Sequence, residues 1–319
     1  MKESHLWNFI LHNIRKDNNI ILIAVVHHEN GSPGKEGFKM AVSSNGDFTG
    51  SVGGGIMEYN ILNTCKEFFK AKQETNRIEK LFHNRKSGVR KSGLICAGSQ
   101  TNFMISLSKK DEKKVSEIVN YISLYKPGKL LFSDKGIDIV KNKINDIPYK
   151  FTFTDESNWN YEETIGLKNF VFIVGGGHVG AALSRLMTEL DFHVTVYDDR
   201  KDLKLIMKNI YADKFITAPY GKLGKYIKEG NQTYVVILTK SYLSDKESMM
   251  QVINKKVRYT GIMGTKVKIK KIFNEAVKEG ADRNRLKIIH APVGLDINSD
   301  TPEEIAVSIA AEIIKIKNS

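Results

Sequence analysis

The feature that most constrains the fold stands midway along the chain, where FVFIVGGGHVG runs from Phe170 to Gly180, with VTVYDD ending at Asp199. The apolar run Phe170 to Val174 reads as a buried parallel strand. Gly175, Gly177 and Gly180 then have the G-x-G-x-x-G spacing that lets a backbone turn tightly, approach a pyrophosphate and pack a helix on the strand. The helix that follows, through Leu190, has free N–H groups and a dipole at its N-terminus that favour an anion there. The next strand, His193 to Tyr197, ends in Asp198, about where a dinucleotide-binding fold keeps the carboxylate that accepts ribose hydroxyls. Strand, turn, helix and acidic terminus in register predict an α/β domain with a Rossmann-like, doubly wound parallel sheet. Occupancy by a dinucleotide is a separate matter, because folds outlive their ligands.

The length of 319 residues suits about two domains, and 41% hydrophobic content supports packed cores. No segment approaches the roughly 18 apolar residues of a membrane span. The opening MKESHLWNFI has none of the regions of a signal peptide, so the expectation is a soluble, cytoplasmic protein with no membrane partner. The two cysteines, Cys65 and Cys96, are too few for a disulfide framework and lack C-x-x-C spacing, so any function for them is as thiols. The formal net charge of +13 raises the question of a polyanionic partner. The lysines, however, are scattered along amphipathic segments such as Val115 to Lys126 and Val267 to Lys278, with no aromatic-interleaved basic motif. A Lys-rich surface is expected, with no nucleic acid; a small phosphorylated ligand is compatible.

In the first half, Glu3 to Arg15 has helical spacing and Ile20 to Val26 is a β-branched strand. The loop NGSPGKEGFKM from Asn30 fails the G-x-x-x-x-G-K-[ST] frame around Gly34-Lys35, which rejects nucleotide hydrolysis there. Strands at Lys39 to Ser43 and Asp47 to Val52 flank an Asn45-Gly46 turn. The second runs into Gly53, Gly54 and Gly55 and a helix from Ile56 to about Lys72. These glycines expose N–H groups at a helix N-terminus beside Glu58; an anion cradle and a simple sharp turn are equally open. Cys96 sits in a Gly/Ala/Ser loop before the strand Phe103 to Leu107 and reads as an available thiol, whereas Cys65 at helical spacing reads as core. A helix from Asp111 to Lys126 and strands at Lys129 to Phe132 and Ile137 to Val140 precede a polar, aromatic-dotted stretch. The boundary is expected near 155–168, giving domains of 1–160 and 166–319.

Past the fingerprint, strands at Lys214 to Thr217, Tyr234 to Leu238 and Tyr259 to Met263 alternate with helices and extend the parallel sheet. Ser244 with Glu247, and Thr301 with Pro302 and Glu304, read as capping boxes. Thr239-Lys240-Ser241 and Gly264-Thr265-Lys266 follow strands, on the edge where such a sheet gathers its ligand. His290, Asp296 and Asp300 are loop residues before a capped helix, a cheaper reading than a metal site.

The chain resembles the xanthine dehydrogenase accessory proteins of the XdhC/CoxI type, maturation factors of molybdenum hydroxylases. The resemblance rests on SPGKEGFKM, GSVGGGIME, GLICAG, FIVGGGHVGAAL, YTGIMGTKVK and HAPVGLDINSDTPEEIA, in this order over nearly the whole chain. It implies an N-terminal accessory domain followed by a Rossmann domain. It also implies a cytosolic chaperone, more binding protein than enzyme, that holds molybdenum cofactor, a phosphorylated pterin dithiolene (molybdopterin). With a cysteine desulfurase it would support sulfuration, and it would deliver the product to an apo-hydroxylase. By position, Gly53, Gly54, Gly55 and Glu58 match the family's glycine-rich loop, and Cys96 matches its cysteine-glycine-glycine thiol and is a candidate molybdenum ligand. Here Ala97 stands at the second position of that motif, Ile56 where some relatives have cysteine, and Thr239-Lys240-Ser241 where many have Thr-His. Gly175, Gly177, His178, Gly180, Asp198, Thr239, Gly264 and Thr265 are the candidate nucleotide-binding residues, for NAD(P) or another adenine nucleotide. A nicotinamide-dependent oxidoreductase and a nucleotide-sensing regulatory module are the alternatives, and a homodimer is left open.

Overall fold

A computed structural model of the chain describes residues 3–29, 31–82, 98–143, 147–201 and 209–319. Cys96 and Ala97 lie outside the described residues. The chain divides into two compact units, Met1–Leu167 and Lys168–Ser319.

The first unit contains α1 (Glu3–Arg15), β1 (Ile20–His28), β2 (Lys39–Ser43), β3 (Phe48–Gly50), α2 (Gly55–Ala71), β4 (Asn76–Phe82), β5 (Ser99–Leu107), α3 (Glu112–Ser123) and β6 to β9 (Gly128–Ser133, Gly136–Lys141, Tyr149–Asp155, Asn158–Ile165). Two antiparallel sheets form, β3-β2-β1-β5-β4 and β7-β6-β9-β8. The unbroken apolar run of β1 is explained by burial on both faces. Ile20, Leu22 and Ala24 pack with Trp7 of α1, Val115 of α3 and Leu130 and Tyr161 of the smaller sheet. Ile21, Ile23 and Val25 pack with Met57, Ile61 and Cys65 of α2. Cys65 is core, and burial pushes its thiol up to about 12.

The polar stretch placed at the boundary contains β9, an inner strand whose Trp159, Tyr161, Glu163 and Ile165 alternate inward. Glu163 breaks the apolar alternation in the sequence, yet it is 1% exposed and meets Lys39 Nζ at 2.8 Å.

The second unit runs β10 (Asn169–Val174), α4 (His178–Glu189), β11 (Phe192–Asp198), β12 (Lys214–Thr217), β13 (Gly230–Ile237), α5 (Tyr242–Val252), β14 (Val257–Ile262), α6 (Lys266–Lys278), α7 (Arg283–Lys287) and α8 (Pro302–Lys317). Its sheet is parallel, in the order β12-β11-β10-β13-β14, so the strand order reverses between β10 and β13. Helices α4 and α8 pack on one face and α5, α6 and α7 on the other, as a doubly wound sheet requires. Thr301 and Glu304 make the expected capping box. The other box is displaced: Ser241 caps α5 and accepts from the Ser244 amide, so Ser244 lies inside the first turn. Among the described residues no helix is long and apolar enough to cross a membrane.

Candidate functional site

In the first unit the loops at one end of the larger sheet converge. Gly53, Gly54 and Gly55 have φ of 133°, 84° and 63°, a backbone path that side chains resist. Glu58, in the first turn of α2, folds back on them. Its Oε1 accepts from Ser51 Oγ at 2.6 Å, the Val52 amide at 3.1 Å and the Gly54 amide at 2.8 Å. An internal carboxylate therefore fills the candidate anion cradle. Gln100, buried at the start of β5, donates through Nε2 to Val52 O at 2.9 Å and accepts from Ser32 Oγ at 3.0 Å. This one amide pins the 32–36 loop, the glycine loop and β5 together. Phe82 of β4 and Ser99 of β5 are paired at this end.

Sequence reasoning missed a pair here. His28 Nδ1 lies 2.5 Å from Glu36 Oε2, and the His28 amide donates to Glu36 Oε1 at 3.0 Å. Burial alone would raise the Glu36 carboxyl. The amides of Glu36 and His28 and the His28 imidazole hold it below the ordinary carboxylate range. Glu36 belongs to SPGKEGFKM, so the motif marked the loop without revealing its partner.

In the second unit the fingerprint lies at the carboxyl ends of β10 and β13, where the strand order reverses. A Cβ on Gly175 would meet Leu238 O at 2.3 Å, and one on Gly180 would meet Gly175 O at 2.1 Å, so both are required by the fold itself. Gly177 differs. With φ −72° and ψ −166° it has a backbone that any residue adopts, and a Cβ there meets nothing within 4 Å. His178 follows it, exposed at the helix start.

Asp198 has other work than ribose recognition. Its carboxylate accepts from the Gly176 amide at 2.7 Å, from Arg200 Nε and Nη2 at 2.8 Å each and from the Arg200 amide at 3.0 Å. Burial would raise this carboxyl, but these donors hold it low. Thr239, after β13, is likewise engaged: its hydroxyl and amide both donate to Asp245 Oδ1, at 2.6 and 3.0 Å. Asp245, raised by burial, also pairs with Lys268. Gly264 and Thr265 follow β14, and Thr265 caps α6 by accepting from the Lys268 amide at 3.2 Å. The candidate nucleotide residues thus gather on one sheet edge, with the side chains of Asp198, Thr239 and Thr265 bonded internally. Among the described residues no group of three or more His, Cys, Asp or Glu is arranged to hold a metal ion; His290 instead meets Glu312 at 3.0 Å.

Comparison with known proteins bears on both units. A family model described as the XdhC Rossmann domain matches residues 171–313, and one described as the XdhC and CoxI family matches residues 14–79. The chain is 22% identical to the uncharacterized protein YqeB of Escherichia coli (strain K12) over 300 residues, 93% of this chain and 43% of the relative. It is 25% identical to a probable xanthine dehydrogenase component of Bacillus subtilis (strain 168) over 163 residues, 51% of this chain and 47% of the relative. The chain spans less than half the length of these curated relatives. The crystal structure of a protein described as a xanthine dehydrogenase from Bacillus halodurans shares the fold, with a TM-score of 0.78 at 20% identity over 100% of this chain and 96% of that one. The two family matches fall one in each unit and together take in more than half of the residues: the chain belongs to the XdhC and CoxI family.

Proposed function

We propose that this chain is an accessory factor in the maturation of a xanthine dehydrogenase-type molybdenum hydroxylase. It holds molybdenum cofactor as cargo, supports its sulfuration with a cysteine desulfurase and passes it to the apoenzyme in the cytoplasm. The reading is of binding and hand-over, without nicotinamide-linked turnover.

The observation that carries it is Gly177. Nothing among the described residues requires a glycine there, and the open backbone it leaves at the α4 N-terminus suits the close approach of a phosphate-bearing ligand. The N-terminal glycine loop fits a phosphate poorly, because Glu58 already takes the amides of Val52 and Gly54 and would repel a second anion. We therefore assign phosphate binding to the second unit, for pterin phosphate or an adenine nucleotide such as NAD(P). To the first unit we assign thiol chemistry, with Cys96 as the soft ligand that suits molybdenum.

Mass spectrometry of protein purified from a molybdate-replete host tests this. Bound molybdopterin is expected in the wild type and in Cys65→Ala, and its loss in Cys96→Ser. Calorimetry with NAD, NADP, AMP and ATP, on wild type and Gly177→Val, identifies the ligand of the second unit. Cofactor-free wild-type protein, together with full hydroxylase activity in a deletion strain, would sink the proposal.

A further inference from the structure

The geometry points to a second chemical role at the loop end of the larger sheet. We propose that His28 and Glu36 form a proton-transfer dyad in which His28 Nε2 takes a proton from a thiol-bearing ligand and returns it. The use of the dyad rests on the maturation role proposed above; its existence does not.

Several features converge on these two side chains. β1 carries an extra residue between Val25 and His27, an irregularity that re-aims the side chains at its end. Both imidazoles there reach one carboxylate: His28 Nδ1 lies 2.5 Å from Glu36 Oε2, and His27 Nδ1 lies 3.7 Å from Oε1. Glu36 also accepts the His28 amide, and in the proposed dyad it is the ionised acceptor, with the proton between the two side chains on Nδ1. Nε2 is then the basic nitrogen, and it has no hydrogen-bond partner among the described residues. His28 and Glu36 are each about a quarter exposed, open enough for a ligand and enclosed enough to hold the pair. Such an arrangement is how a carboxylate fixes the tautomer of a working histidine. Among the described residues, the other titratable groups around the pair include His27, Glu29 with Lys80 at 3.0 Å, Glu58 in the neighbouring loop, and Tyr149 and Tyr161 beside the Lys39–Glu163 pair.

A thiol is the matched partner. Thiols ordinarily titrate about two units above imidazole, a gap that a carboxylate facing the imidazolium narrows, whereas an aliphatic hydroxyl lies far above both. The S–H bond breaks with its electron pair left on sulfur, the proton forms an Nε2–H bond, and Glu36 faces the resulting imidazolium. Return of the proton restores both groups.

Two measurements test the dyad. Long-range proton–nitrogen NMR on histidine-labelled full-length protein, with His28→Asn to assign the signal, should find the neutral ring protonated at Nδ1, and Glu36→Gln should abolish that preference. In a hydroxylase activation assay, His28→Asn should slow activation by roughly 100-fold or more, with molybdopterin loading kept. Imidazole should restore His28→Gly, Glu36→Gln should displace the pH profile, and His12→Gln on the exposed side of α1 should behave as wild type. A neutral His28 carrying its proton on Nε2 overturns the dyad. So does wild-type activation by His28→Asn. A wild-type protein that activates no hydroxylase defeats the maturation role instead, and the NMR result still decides the dyad.

Discussion

Asp198 stands where ribose is usually read, yet four donors, the Gly176 amide of the glycine loop and three N–H groups of Arg200, surround its carboxylate. An acid at a strand end is legible in the sequence, but what that acid touches is decided only by the turn of residues 199 and 200 back onto it. This contact makes the stability of the second unit depend on pH. The carboxyl is held below its ordinary value in the folded state, so its ionised form contributes stability that is present above the unfolded pKa of about 3.9. That stability is lost as pH falls further, through the folded value. Asp198→Asn should destabilise the second unit by about 2 kcal/mol at pH 7, in line with loss of a charged hydrogen-bond acceptor. The difference from wild type should shrink below about pH 4. Urea unfolding across pH measures it, and equal stability at pH 7 would show that the carboxylate does not hold the glycine loop.

Among the elements, legibility follows how uniformly each is buried. β1 from Ile20 to Val26 and β10 from Phe170 to Val174 are unbroken apolar runs readable as buried strands, and the capping box of α8 is local chemistry that needs no tertiary knowledge. β9 is not readable, because its inward row includes Glu163, whose cation, Lys39, lies 124 positions earlier in the numbering on β2. The start of α5 differs by one turn because Ser241 and Ser244 are both sound caps by sequence, and packing selects the earlier one. The candidate site divides the same way: its glycines are legible, whereas the engagement of Glu58 and the His28 to Glu36 contact depend on loop closure. The buried pair on β2 and β9 carries a prediction. Burial raises the Glu163 carboxyl, and Lys39 at 2.8 Å opposes this. Lys39→Met leaves that carboxylate without its cation and should cost about 3–5 kcal/mol. Adding Glu163→Met should recover most of the loss, since an apolar pair fills the space without desolvating charge. A single variant as stable as the double one would refute an ionised pair.

For the whole molecule, the parallel order with its reversal between β10 and β13 follows from one fingerprint and the right-handed crossovers that parallel strands demand. The two cores of each unit draw on residues of that unit alone, Leu6 to Ile165 in one and Phe170 to Ile316 in the other. Cooperative unfolding follows the core, so two transitions are expected where one core set outlasts the other. The chain supplies a selective reporter, because its two tryptophans, Trp7 and Trp159, are both buried in the first unit. Intrinsic tryptophan fluorescence therefore follows that unit, while far-ultraviolet circular dichroism follows both. Lys39→Met should lower the fluorescence midpoint in urea and move only part of the dichroism curve. Asp198→Asn should lower the other part of the dichroism curve and leave the fluorescence midpoint where it was. If each substitution shifts both signals together, the units unfold as one body, and the assignment of each stability change to its own core is wrong.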